Sequence, residues 1–334
     1  MVFKKAKTGK CIVPIQTNIT PNTVRRSRSG KCDKIILGLF FILGLFFAVL
    51  LVCNLNSQAG KQLSFWKIIK NRSSSIFENE VKGYQNNLRK RQRQHFSQLL
   101  REIRTEYIRE KRNYLLTVAV AAPQIIVDVA YDVDQINMYV DYANIMTYDF
   151  HTYTKFTPFT GLNSPLYARP EEQLYLATLN INYTVQMYKD KGLDPSKIVV
   201  GIPTYGHSFA LVNANNAKVG SPASGFGTLG NLGFVNYPDI CMFLSKFHDI
   251  VIKDDTEAKV PYLHKESEWV SYENADSVVA KAKYITENKL RGAMIYSLNA
   301  DDYDGKCDKL SGSVKFPLAT TVRNTLNQNP TLKE

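Results

Sequence analysis

Apolar residues fall into three kinds of run along this chain. Ile35 to Cys53 (IILGLFFILGLFFAVLLVC) is nineteen uncharged, almost wholly apolar residues. As a helix rising ~1.5 Å per residue the run spans the ~30 Å hydrocarbon core, and it predicts a single transmembrane helix. A buried core helix and a cleaved signal peptide are the alternatives. Core helices seldom lack every polar residue over such a length, and the run exceeds the ~7–15 residues of a usual signal h-region. A second pattern covers Gln94–Arg112, where Phe96, Leu99, Leu100, Ile103 and Tyr107 recur at helical spacing with charge opposite, predicting an amphipathic helix. The third consists of short apolar runs at Tyr114–Ala122, Tyr142–Phe150, Lys197–Gly206 and Gly292–Leu298. Each reads as a buried parallel strand. Helical segments such as Glu171–Lys191 and Ala275–Asn288 separate them, so the pattern predicts β/α units around a parallel sheet. Leu211–Asn274, rich in Gly, Ser and aromatics, is too long for a plain connection and reads as an inserted subdomain.

Charge divides the chain in the same places. Residues 1–34 hold nine Lys or Arg against Asp33, residues 35–60 hold none, and residues 61–112 hold fourteen against five Glu. The net charge is +12, so the remainder is mildly acidic and a nucleic-acid partner loses its main support. Cations precede the apolar run, and the residues after it stay neutral until Lys61. The positive-inside rule then predicts a type II protein: a cytoplasmic tail over 1–34, a membrane helix over 35–53, a basic stalk over 54–93 and an extracellular or lumenal domain over 94–330.

That orientation places Cys241 and Cys307, the two cysteines of the globular part, in an oxidising compartment. A disulfide between them is the direct reading, and two buried free thiols are the other. Sequons at Asn71 and Asn182 fall on the same side, whereas that at Asn18 would face the cytoplasm.

Ligand groups in parallel β/α architectures sit where strands run out at their C-terminal ends. Here those ends are polar and aromatic: Met146-Thr147-Tyr148-Asp149, then Tyr205-Gly206-His207, then Tyr296 followed by Asp301 and Asp302. Period-two alternation puts Met146 and Tyr148 on one face, with Asp149 at its mouth. Aromatic faces beside carboxylates and hydroxyls suit a sugar, whose ring offers an apolar CH face and a rim of hydroxyls. Taken singly, a strand Tyr is more often core and an Asp after a strand more often a helix cap. Their recurrence at successive strand ends is what points to a site.

These motifs resemble family 18 glycoside hydrolases of the animal chitinase type. The resemblance rests on Met-Thr-Tyr-Asp at 146–149, GIPTYG at 201–206, GSPASG at 220–225, the run from Gly233 to Cys241, and GAM at 292–294, in that order over roughly 94–325. It implies an α/β fold in which the strands are five to eight of a (β/α)₈ TIM barrel, with an α+β insertion between the last two, and it implies that Cys241 and Cys307 pair. It further implies substrate assistance, in which a strand-four Glu protonates the glycosidic oxygen and the substrate's own N-acetyl carbonyl attacks the anomeric carbon. Tyr148 would steady that carbonyl, Asp149 would bind the distorted sugar, and Tyr205 would wall the cleft, without metal or cofactor.

Two positions depart from the family. His207 stands where an Arg is usual, and Tyr296 where a Trp forms the floor. A larger departure is the missing acidic motif Asp-x-x-Asp-x-Asp-x-Glu. The residues where it should lie, 76–93, offer only Glu78 and Glu80. General acid catalysis alone is worth ~10²–10⁴-fold. The expectation is therefore a membrane-anchored protein that binds chitin or N-acetylglucosamine oligomers without cutting them. The alternatives are an active chitinase whose first half-barrel is lost from this sequence, and a scaffold for protein partners. Four parallel strands would also leave two open edges, at Tyr114–Ala122 and Gly292–Leu298, to be covered by the basic stalk at 61–93, by a second copy or by nothing, and with inward faces built for absent strands the expectation is an unstable product.

Overall fold

The structure is a computed structural model that describes residues 2–3, 91–307 and 314–328. The chain divides into two compact units, one of Met1–Pro14 with Arg89–Glu334 and one of Ile15–Leu88. The second unit lies wholly outside the described residues, and with it the expected membrane helix, almost all of the stalk, Glu78, Glu80 and Asn71. Among the described residues no helix is long and apolar enough to cross a membrane.

The four apolar runs form strands β2 (Thr117–Ala121), β3 (Tyr142–Met146), β4 (Ile198–Pro203) and β11 (Gly292–Tyr296), parallel and adjacent in that order. A two-residue strand β1 (Val2–Phe3) pairs antiparallel with Ala293 and Met294, so the β11 edge expected to be open is partly taken. Register aligns Val120 with Ile145, Ile145 with Val200, and Val200 with Ala293. All four pack into the main core with the helices, as period-two alternation requires. The opposite face presents Tyr142, Asn144 and Met146 from β3, Val199 and Gly201 from β4, and Met294 and Tyr296 from β11. Gly201 fits a crowded spot there: a Cβ would lie 2.5 Å from the Ile145 carbonyl oxygen and 2.8 Å from the Tyr148 ring.

Helices α1 (91–109), α2 (Gln124–Ala130), α3 (Val133–Tyr139), α4 (Ile181–Asp190), α6 (Ala275–Glu287) and α7 (Pro317–Gln328) contribute to the main core. In α1 Leu100 is buried and Phe96, Ile103 and Tyr107 pack against the core, but Leu99 points outward. Helix α4 starts ten residues later than the spacing predicts, at an Asn180 cap whose side chain accepts from the Tyr183 amide.

An antiparallel sheet begins at Tyr205, six residues before Leu211, where the sequence pattern places the start of an insertion. The run read as one strand over Lys197–Gly206 is two, broken at Thr204, whose amide donates to the Tyr296 carbonyl and whose hydroxyl donates to that of Ser297. Beyond the break β5 (Tyr205–Leu211) enters an antiparallel sheet with β6 (Ala223–Phe226), β7 (Phe234–Asn236), β8 (Val251–Asp255), β9 (Val260–Lys265) and β10 (Glu268–Ser271). Its order is β6-β5-β10-β9-β8, and β7 shares the β6 edge of β5. Helix α5 (Tyr237–Lys246) follows β7. A disulfide joins Cys241 on α5 to Cys307 after β11, with Cα atoms 5.2 Å apart.

Candidate functional site

The site forms where β3 and β11 run out and β5 begins. After Met146 the Thr147 hydroxyl donates to the Gly201 carbonyl oxygen at 2.7 Å, pinning the end of β3 to β4. Two residues on, Asp149 takes a left-handed conformation with φ 59°, which Asp tolerates better than most residues. Buried Asn163 holds it there. Its Oδ1 accepts from the Asp149 amide at 2.9 Å, its Nδ2 donates to the Tyr205 carbonyl at 3.0 Å, and its own amide donates to Ser271 Oγ at 2.9 Å. Sequence reasoning missed Asn163, because nothing in the pattern of its loop ties an amide to a strand end fourteen residues earlier.

Asp149 is the electrostatic centre. Its Oδ1 accepts from the Tyr205 hydroxyl at 2.6 Å and lies 2.8 Å from His207 Nε2. Burial pushes its carboxyl pKa up, but the hydrogen bonds from His207 and Tyr205, with the His207 charge, outweigh that and leave it below the ordinary value. The side chain is 50% exposed, and Oδ2 has no hydrogen-bond partner among the described residues, so it is free to accept from a ligand hydroxyl. Burial, then the Asp149 charge, raises the Tyr205 pKa, keeping its hydroxyl a donor. Burial likewise raises that of Tyr148.

Aromatic rings line the rest. Tyr148 and Tyr296 stack with centroids 5.4 Å apart and planes 13° from parallel, and Tyr205 stacks on Phe234 at 4.2 Å. Tyr148 is buried while Tyr296 is 44% exposed, so Tyr296 offers a flat face that the ring behind it holds still. Met146 packs against the same cluster. All six residues singled out from the sequence, Met146, Tyr148, Asp149, Tyr205, His207 and Tyr296, are thus brought into one region, although Tyr205 and His207 belong to the first strand of the insertion and not to the end of a parallel strand. Phe234, from the Gly233–Cys241 run, joins them.

Asp301 does not. Its carboxylate accepts from the amides of Asp302, Leu318 and Ala319 and caps α7, and Asp302 accepts from the Cys307 amide. Asn182 is exposed on the first turn of α4, its side-chain oxygen accepting from the Tyr284 hydroxyl at 3.1 Å. The arrangement can stack a sugar ring, accept from its hydroxyls and hold one carboxylate ionised. The Asp149 carboxylate, tied down by two donors, suits an acceptor rather than a proton donor.

The family model Glycosyl hydrolases family 18 matches residues 65–301, beginning inside the segment read above as a stalk. Mouse chitotriosidase-1 is 37% identical over 221 residues, 65% of this chain and 45% of that protein. Human chitinase-3-like protein 2 is 34% identical over 242 residues, 70% of this chain and 60% of that one. The chain therefore spans about half the length of such relatives. Among solved structures, Ostrinia furnacalis Group IV chitinase in complex with allosamidin matches with a TM-score of 0.66 at 34% identity, covering 72% of this chain and 63% of that one. Human YKL-39, described as a pseudo-chitinase with retained chitooligosaccharide binding properties, matches with a TM-score of 0.66 at 33% identity, covering 71% and 66%.

Proposed function

The chain belongs to glycosyl hydrolase family 18, and on that premise we propose that it binds chitin or N-acetylglucosamine oligomers without hydrolysing them. The observation that carries the reading is the Asp149 carboxylate, held ionised by Tyr205 and His207 beside the exposed Tyr296 face. An apolar platform next to a fixed acceptor suits a pyranose. Loss of hydrolysis is supported by the sequence, which nowhere contains Asp-x-x-Asp-x-Asp-x-Glu. Binding without turnover also has a precedent in the likeness to YKL-39. Calorimetry with N-acetylglucosamine oligomers tests the site: Asp149→Ala and Tyr205→Ala should each weaken binding, and no change in either removes it.

In the same proposal the parallel strands β2, β3, β4 and β11 are the last four of a (β/α)₈ barrel, and Ile35–Cys53 anchors the chain with its C-terminal domain outside or in the lumen. Anchoring and the pairing of β1 with β11 exclude each other, since a spanning helix would put Val2–Phe3 across the membrane from Ala293. The pairing offers a few backbone hydrogen bonds at about 1 kcal/mol net each, whereas burying the apolar side chains of the nineteen-residue run is worth far more. A glycan on Asn182, read as an endoglycosidase-sensitive mass shift, supports the orientation, and an unmodified Asn182 in membrane-derived protein counts against it. The β2 edge opposite β3, which has no partner strand among the described residues, is the place where a second copy would add.

A further inference from the structure

We propose that the loop over 151–163 carries an aromatic wedge that seats the domain on an anionic lipid surface, with Phe156 and Phe159 entering the bilayer interface and Lys155 and Lys218 meeting lipid phosphates. The inference rests on the proposed Ile35–Cys53 anchor, which keeps the domain beside a bilayer, and it uses none of the sugar-site residues. Phe156 stands at a turn and is 96% exposed. Its backbone is nevertheless fixed: the Thr154 hydroxyl accepts from the amides of Phe156 at 3.1 Å and Thr157 at 2.9 Å and meets the Thr157 hydroxyl at 2.7 Å. The residues that follow are stitched to the insertion. The Ala223 amide donates to the Pro158 carbonyl at 2.8 Å, the Thr160 amide to that of Ser221 at 2.9 Å, and the Thr160 hydroxyl to that of Lys218 at 2.9 Å. Pro222 lies between Phe159, its bridge partner, and Val212, whose amide donates to its carbonyl at 3.0 Å. Phe226, edge-on to Tyr153 at 5.3 Å, continues the face. Phe156, Phe159, Val212 and Phe226 are all exposed, and apolar rings presented on a fixed backbone lose little further freedom when they are buried.

Charge selects the occupant. Between Asp149 and Glu171, and again between Gly206 and Asp239, the sequence holds no Asp or Glu, and Lys155 and Lys218 are exposed with no ion pair among the described residues. The acids that the sheet brings near are already engaged: Glu268, opposite Ala210, is buried and accepts from Thr228 and Leu229, and Glu266 pairs with Lys265. Apolar rings flanked by uncompensated cations match the boundary of a bilayer, where acyl chains lie beneath a layer of anionic headgroups. Phenylalanine suits that boundary better than it suits a sugar, since it has no hydroxyl to meet a ring of hydroxyls. Two such rings and two lysines make a weak contact by themselves. Forty residues, 54–93, separate the apolar run from the domain, and a tether raises the effective concentration of the surface to the order of mM, where a weak contact suffices.

Phe156→Trp in the full chain, reconstituted into vesicles of phosphatidylcholine and phosphatidylserine with brominated acyl chains, tests the wedge. The fluorescence gained over wild type is that of position 156. Insertion to ~5–10 Å, the depth of interfacial apolar faces, brings the ring within reach of bromines near the top of the acyl chains, so this emission should be quenched. Lys155→Gln and Lys218→Gln should each lower the ratio of quenched to unquenched emission about five-fold, as should be expected of one cation near an anionic surface. Met138→Trp, exposed on helix α3, should keep its emission in the same vesicles. Unquenched emission from position 156, or equal quenching at position 138, overturns the inference. A blue shift at position 156 on adding an N-acetylglucosamine hexamer without lipid would put the ring in the sugar site and overturn it as well. Alkaline carbonate separates this from the anchor: a chain that carbonate extracts but that is quenched at position 156 refutes the anchor and leaves the wedge standing, whereas a chain that resists extraction and stays unquenched refutes the wedge alone.

Discussion

Replacing Lys281 with Met should unfold much of what holds the end of β3 in place. Lys281 on α6 is fully buried, its Nζ paired with the equally buried Glu273 and donating to Ser164 Oγ at 3.3 Å. Ser164 in turn donates to the Thr147 carbonyl oxygen at 2.7 Å, next to the Tyr148-Asp149 pair. Glu273 keeps one other donor, the Ser277 hydroxyl at 2.6 Å. Removing the lysine leaves a buried carboxylate without its counter-charge, a loss of about 3–5 kcal/mol. For a domain of this size that lowers Tm by on the order of 10 °C. Burial raises the Glu273 pKa, so in the variant the folded state holds its proton at a pH where the unfolded state has lost it. Stability should accordingly fall as pH rises past the ordinary value of 4.5. Removing both charges, as Glu273→Leu with Lys281→Met, should cost less than Lys281→Met alone, because no unpaired charge remains. Equilibrium urea unfolding of the four proteins at pH 7 closes the cycle. A single variant within about 1 kcal/mol of wild type, or a double variant as costly as the sum of the singles, would refute the assignment of this pair as the anchor.

Three further outcomes follow from particular contacts. Gly201→Ala should destabilise by about 1–3 kcal/mol and weaken oligosaccharide binding as well, since the new methyl would press on the Ile145 carbonyl and the Tyr148 ring; unfolding and calorimetry on one preparation check both. Reducing Cys241–Cys307, which closes a separation of 66 residues, should cost about 4 kcal/mol in the chain-entropy picture, and unchanged denaturation under reductant would contradict it. Burial depresses the His151 pKa to about 4 from 6.5, so the unfolded state binds more protons between those values and stability should drop by roughly 2–3 kcal/mol as pH falls from 6.5 to 4; His151→Gln should flatten that slope in thermal scans.

Much of this architecture is legible in the sequence because parallel strands buried on one face by helices must read as short apolar runs. Thr117–Ala121, Tyr142–Met146, Ile198–Pro203 and Gly292–Tyr296 all lie inside the predicted runs. The same rule misleads at Thr204. Apolar residues continue through it into β5, and only a pair of hydrogen bonds to the end of β11 marks the change of sheet. The polar and aromatic residues read at strand ends do come together in space, but Tyr205 and His207 do so from the start of β5, where the chain has already changed sheet. Asn163 was not legible, since its role is to bond three backbone or hydroxyl groups that come together only in the fold. Asp301 shows the opposite case: a carboxylate after a strand that serves as a helix cap, set by an α7 whose start 16 residues later carries no link to it in the sequence.

The central claim, that this chain holds N-acetylglucosamine polymers without cutting them, is tested most directly by one sample of the full chain incubated with a hexamer. Saturation-transfer NMR would report contact, and the anomeric signals of the same spectrum would report cleavage. The account predicts transfer to the sugar protons, lost in Asp149→Ala, with no new reducing ends. Shorter oligomers accumulating in the wild-type sample would contradict it, whether or not they persist in Glu78→Gln with Glu80→Gln.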